Sequence, residues 1–236
     1  MVVVNGHSWK RKAKNNGGNM KKLFSTLIVS IVAVAAFAQQ GEIKTFYVND
    51  EMKKDVVSFT SKAPLETIVG RTGDVTGYVT VDLNNVGEGT KGRFDVDLAS
   101  VKTGISLRDQ HMREQYLETD KYPKAVFELT RVVSAESPKL IDGKAIQLML
   151  EGNFSVHGVT KLIQIPATVT YMKESEATRS RLPGDLLHIE AAFTIMLSDY
   201  SIKRPQFVIL KLDEAQKINV DLFASTGSPP VDFKGN

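Results

Sequence analysis

The groups most able to do chemistry crowd into residues 100–127. Arg108, Asp109, His111, Arg113 and Glu114 fall within seven positions. His111 and Glu114 share a helix face, but a metal centre needs a third ligand, and no H-E-x-x-H spacing supplies one. Asp109, His111 and Arg113 could instead serve a hydrolase, although no G-x-S-x-G nucleophile elbow accompanies them. The plainer reading of Arg108, Asp109 and Arg113 is helix capping and surface ion pairing. Elsewhere, His157 precedes Gly158 between two strand patterns and suits a turn. His188 alternates with apolar residues and should face solvent. Residues 87–92 match G-x-G-x-x-G, but RFDVDL follows, which is a strand and not the helix a dinucleotide site requires; a hairpin loop is expected. The N-x-S sequon at Asn153 lies within a strand pattern and is discounted. With no cysteine, the chain has no disulfide framework, thiolate nucleophile or cysteine metal site.

These groups sit on a short helix in a chain otherwise made of strands. Ser106 and Asp109 have capping-box spacing, so a helix is expected over about 106–115, with Leu107, His111, Met112 and Gln115 on one stripe. Tyr122 precedes Pro123, which ends the excursion. A charged, capped helix in such a place covers an opening or an edge. Around it the two-residue beat is clear. In 75–83 the odd residues, Val79 and Val81 among them, face one way. Phe94, Val96 and Leu98 oppose Arg93, Asp95 and Asp97. Leu148, Phe154, Val156 and Ile165 continue the pattern. In 187–197 every odd position is apolar, including Phe193, Ile195 and Leu197. Strict alternation of this length marks half-buried antiparallel strands. Eight or more of them, with Asn, Gly and Asp between, suggest a sandwich or a closed barrel.

The N-terminal segment is of another kind. Lys21 and Lys22 precede an apolar run from Leu23 to Ala36, and Ala36 and Ala38 flank a small-x-small cleavage signature. Residues 20–38 read as a secretory signal peptide, the run being shorter than the ~20 residues of a spanning helix. Residues 1–19 fit no signal and read as non-native or as an extended n-region. Six of the 30 cationic residues and none of the 27 acids lie in 1–38, so the remainder turns from +3 to −3. A nucleic-acid partner loses its main support. Residues 226–236 read as a flexible tail, leaving a domain over 41–225.

Specific residues go further. Thr103 and Gly104, then Arg108, Asp109, His111 and Met112, then Tyr122 and Pro123 before Phe127, resemble the signature of the YceI-like family of bacterial exported proteins. GNFSVHGVTK over 152–161 is similar to that family's G-x-L-T-x-H-G-V-T-K segment, with Asn153 to Ser155 a mild departure. Asp199, Tyr200 and Ile202 resemble its late turn, with Ser201 where glycine is usual. The resemblance implies an all-β, eight-stranded antiparallel, lipocalin-like barrel with one short helical insertion. It also implies a long apolar lipid of polyisoprenoid type in the lumen, no further cofactor, no metal and no catalysis. The lumen-facing set is then Val79, Val81, Phe94, Val96, Phe127, Leu148, Phe154, Val156, Ile165, Phe193, Ile195 and Leu197. Arg108, Asp109, His111 and Arg113 would form the mouth or its cover. The expected partner is the lipid, not nucleic acid; no stable membrane anchor is expected, a homodimer is compatible, and the place is the periplasm or the exterior. A secreted hydrolase acting at the mouth is the alternative. An outer-membrane barrel is a further one, because alternation does not say which face is inside.

Overall fold

The computed structural model describes residues 41–204 and 212–230. The segment read as a signal peptide, residues 1–19 and residues 205–211, with the alternating apolar Val208 and Leu210 of the sequence, lie outside them. The strands are β1 (Ile43–Val48), β2 (Val56–Lys62), β3 (Thr67–Thr72), β4 (Val75–Asp82), β5 (Lys91–Asp97), β6 (Lys124–Ala135), β7 (Ala145–Val156), β8 (Val159–Met172), β9 (Leu186–Met196) and β10 (Ala215–Ser225). All pairings are antiparallel. β4 to β10 follow one another around the sheet, and β1 closes the ring between β4 and β10. The barrel therefore has the eight strands expected, with β2 and β3 added as a hairpin on β10. The G-x-G-x-x-G stretch is the β4–β5 connection, as expected.

The alternation points apolar residues inward. β4 reads buried at every odd position. The outer face carries ion pairs, such as Arg93 with Glu128 (2.8 Å) and Arg131 with Glu151 (2.6 Å). That is the reverse of a barrel that meets lipid on its outside. His188 lies on the outer face as well, bonded to Asp221 (2.8 Å) and stacked on Phe223.

The seam of the ring is its irregular place. β1 meets β10 at one residue pair, Tyr47 with Ser225, and β2 takes over the same edge from Val56. Between them residues 49–55 leave the sheet. Asp50 stabilises the departure by accepting from the amides of Met52 (3.0 Å) and Lys54 (2.9 Å). Asp55 accepts from the amide of Phe223 (3.0 Å), a β10 donor that the break leaves without a strand partner. Arg181 donates to both carboxylates, at 2.7 Å each. Burial pushes the Asp55 carboxyl up to about 6, with Asp50 and Asp221 adding to the rise and Phe223 and Arg181 opposing it. Asp50 is also desolvated, but Arg181 and the two amides hold it below its usual range. A raised pKa means that the folded state binds the proton more tightly, so this contribution to stability is lost as pH rises through the folded value. Thermal melting should therefore show a destabilising component as pH rises from about 4 to about 6, which Asp55→Asn removes. An identical pH slope in the variant would place the titration elsewhere.

One half of the lumen is solid. Phe46, Val48, Val79, Val81, Ile146 and Leu187 interlock there with Tyr171, whose ring meets Phe46 edge-on at 6.3 Å. Beyond β10 the chain stays with the fold further than the boundary at 225. Ser225 is fully buried and Ser228 nearly so, while the Thr226 amide donates to Asp185 O (3.0 Å) and its hydroxyl accepts from the Asp185 amide (2.9 Å). Residues 226–228, which the sequence placed in a flexible tail, thus pack on the barrel, because they satisfy the polar groups of the 183–185 loop.

Candidate functional site

The other half of the lumen is hollow. A cavity of about 570 Å³ runs from the solid core to a mouth between α1 (Ser106–His111), the β2–β3 turn and Leu212. Small side chains near the filled end leave part of its space, and a glycine seats one of its aromatic walls. Ala167 and Ala191 are cross-strand partners on β8 and β9, and both line it. Gly70 faces Phe59 across β2 and β3, and a Cβ on Gly70 would stand 2.1 Å from the Phe59 ring.

Nine of the twelve lumen residues picked by alternation line this cavity: Phe94, Val96, Phe127, Phe154, Val156, Ile165, Phe193, Ile195 and Leu197. Val79, Val81 and Leu148 do not. They face inward at the filled end, Val79 and Val81 inside the core and Leu148 packed against it. Alternation sets the face of a residue and says nothing of its height along the barrel. The lining also includes Val57, Phe59 and Ile68 of the β2–β3 hairpin and Met112, Tyr116 and Leu117 of the cover. The alternation of Val57 and Phe59 was a usable signal for the first group.

The cover is built differently from its sequence reading. Ile105 occupies the N-cap position and Ser106 is already helical, without a side-chain cap bond. Asp109 is buried and reaches back to Thr103, accepting from its amide (2.8 Å) and its hydroxyl. This closes the loop before the helix, so the expected Ser106 capping box is corrected to a Thr103–Asp109 tie. The helix then widens into a π turn over Met112–Tyr116, with the Leu117 amide bonded to Met112 O (2.9 Å). The extra residue in that turn moves the inward stripe from Gln115, which is exposed, to Tyr116. Arg108 lines the mouth, donates to Thr103 O (3.1 Å) and pairs with Glu66 (3.3 Å), so it spans from α1 to the β2–β3 turn. His111 also lines the cavity; Arg113 does not. Asp109 and His111, two apart on one helix, face different ways, and the proposed hydrolase trio of His111, Asp109 and Arg113 is not assembled. Among the described residues, no three His, Cys, Asp or Glu side chains gather as metal ligands would.

His157 holds the cover's far end. It and Gly158 both have positive φ (53° and 76°) and form the two-residue turn between β7 and β8, as expected. Its Nδ1 meets Tyr200 O (3.1 Å), its Nε2 meets Glu118 (2.7 Å), and its ring packs on Tyr122 at 4.7 Å. One imidazole thereby ties three loops at that end. Ser201, where glycine was expected, is left-handed (φ 58°), the conformation that explains the usual glycine.

The polar side chains in the wall are few: Ser58, Ser61, Thr72 and Thr103, the Arg108–Glu66 pair, His111, Tyr116 and Gln216. Ser61 Oγ is buried without a hydrogen-bond partner among the described residues. Such a wall can hold a long apolar molecule and offers little to a charged one.

The sequence profile of the YceI-like domain matches residues 47–224. The chain belongs to the YceI-like family. A UPF0312 protein of Vibrio parahaemolyticus is 28% identical over 149 residues, which cover 62% of this chain and 72% of that protein. Another, from Photorhabdus laumondii, is 30% identical over 137 residues, covering 58% and 64%. Among solved structures, BcnA of Burkholderia cenocepacia superposes with a TM-score of 0.58 at 16% identity, covering 75% of this chain and 99% of that one. A polyisoprenoid binding domain from Saccharophagus degradans, implicated in plant cell wall breakdown, gives 0.56 at 16% identity, covering 78% and 99%. At that identity the two structures share the YceI-like barrel with this chain, as the sequence resemblance implied.

Proposed function

We propose that this YceI-like protein is an exported carrier that holds a long apolar lipid, of polyisoprenoid type, in the hollow half of its barrel. The observation that carries the reading is the cavity itself, about 570 Å³ with an almost wholly apolar wall. This lies within the about 300–1,000 Å³ of ordinary ligand sites. Burying lipid carbon contributes about 0.8 kcal/mol per CH₂, against roughly 4–15 kcal/mol of lost freedom on association. A chain of about twenty buried carbons therefore binds tightly without any hydrogen bond, and a short molecule does not. The polyisoprenoid class is supported by the structural neighbour from Saccharophagus degradans, whose fold this chain shares. Export is supported by the signal-peptide pattern at 20–38. The test is mass spectrometry of an organic extract of the purified protein. A prenyl lipid in near-stoichiometric amount is the expected result. An extract with no lipid, from protein purified without detergent, would overturn the reading.

A further inference from the structure

The mouth of the cavity carries a collar of exposed aliphatic side chains. Ile105 and Leu107 line the cavity and yet are 53% and 61% exposed. Leu65, at the tip of the β2–β3 turn, is 80% exposed, and its neighbour Glu66 is bonded to Arg108 of α1. The three therefore stand on the two elements that frame the opening. Apolar side chains around an apolar opening are costly to leave in water and are unused by the barrel's own packing.

Cations flank this collar. Lys62 and Arg204 border one shallow depression with Ala63, Pro64 and Asp213, beside the β2–β3 turn. The Asp213 amide donates to Lys62 O (2.7 Å) and Arg204 Nε to Leu212 O, which joins that side of the mouth to the turn. Lys203 is exposed next to Arg204. Glu66 is neutralised by Arg108, while Asp213 and Glu214 offset part of the remaining charge. Aliphatic tips with lysine and arginine behind them suit one environment, the head-group layer of a bilayer bearing anionic lipid. A closed apolar lumen also has a kinetic difficulty. A long lipid leaving it through water must expose all of its carbon at once, whereas a mouth set into a bilayer lets the chain pass between two apolar phases.

We propose that the mouth is the docking face for an anionic lipid bilayer, with Leu65, Ile105 and Leu107 entering the head-group layer and Lys62 and Lys203 meeting the lipid phosphates. This rests on the carrier reading for its purpose, but docking is measured separately. The probes are vesicles of phosphatidylcholine alone and of phosphatidylcholine with a third of phosphatidylglycerol. The exported form, which begins after Ala38 and so lacks the basic and apolar leader, is expected to float with the anionic vesicles and several times less with the neutral ones. Leu65→Glu and Lys62→Glu, both outside the cavity wall, should each lower the anionic-vesicle association constant about tenfold. Organic extraction of the same Leu65→Glu preparation should return as much lipid as the parent. A parent that stays unbound in the presence of anionic vesicles, or a Leu65→Glu variant that floats as the parent does, overturns the docking proposal. An empty parent that still floats would refute the carrier reading and leave docking standing; a loaded parent that does not float would do the reverse.

Discussion

Ala191→Trp is expected to empty the barrel of lipid while leaving it folded. Ala191 and its partner Ala167 line the cavity, Ala191 between Ile189 of the solid core and Phe193, and their small side chains leave free space there. An indole on Ala191 would enter that space. Overpacking a filled core costs about 1–3 kcal/mol, but here the added ring meets a cavity, so melting should move by only a few degrees. The effect on binding is larger. Displacing only two methylenes, at about 0.8 kcal/mol each, lowers affinity more than tenfold. The same substitution at Ala192, which is exposed on the outer face, should leave lipid content unchanged. If Ala191→Trp protein extracts as much lipid as the parent, the ligand does not run past the Ala167–Ala191 level.

Ile195→Asp should be among the most destabilising single changes in the molecule, and Thr194→Asp almost silent. Ile195 is buried in the wall next to Phe154, Leu197 and Tyr200. The residue opposite is Gln216, a neutral amide already donating to Asp213 O (2.8 Å), so a carboxylate there meets no cation; an uncompensated buried charge costs about 3–5 kcal/mol, or on the order of 10 °C in a domain of this size. Thr194 is exposed and sits opposite Lys217, so an aspartate would gain a cross-strand ion pair of roughly 0.2–1 kcal/mol. Differential scanning calorimetry of the two variants decides the matter. Equal melting points would mean that β9 does not present its odd positions to an apolar interior.

That inside-versus-outside distinction was legible in the sequence because a strand's period is fixed at two by its geometry. The run 187–197 gave it directly, and the turn at His157 and Gly158 was legible for a similar reason, lying between two clean alternations. What stayed hidden depends on distances that no period encodes. Val79, Val81 and Leu148 have the same alternation as Phe94 and Val96, but Phe46 and Tyr171 fill the lumen at their end, and only the register shows which levels are filled. The cap of α1 was hidden because Thr103 and Asp109 lie six residues apart, outside the familiar spacing, while Ser106 and Asp109 match it by coincidence. The π turn then shifts every later residue of the cover by one place, so Tyr116 lines the cavity and Gln115 does not.

The way β10 serves both β1 and β2 has a consequence for how the molecule is made. The strands at the two ends of the domain must meet before any ring exists, and Tyr47 and Ser225 are separated by nearly the whole domain. Until residues 215–225 have been made, any sheet formed by the preceding strands would be an open ribbon with two unpaired edges and an apolar concave side. Closure is the last and least local event, the kind that makes folding slow and its precursors adhesive. A holdase that shields ribbon edges until the final strand arrives would raise yield, and slowing the arrival of residues 215–225 would lower it.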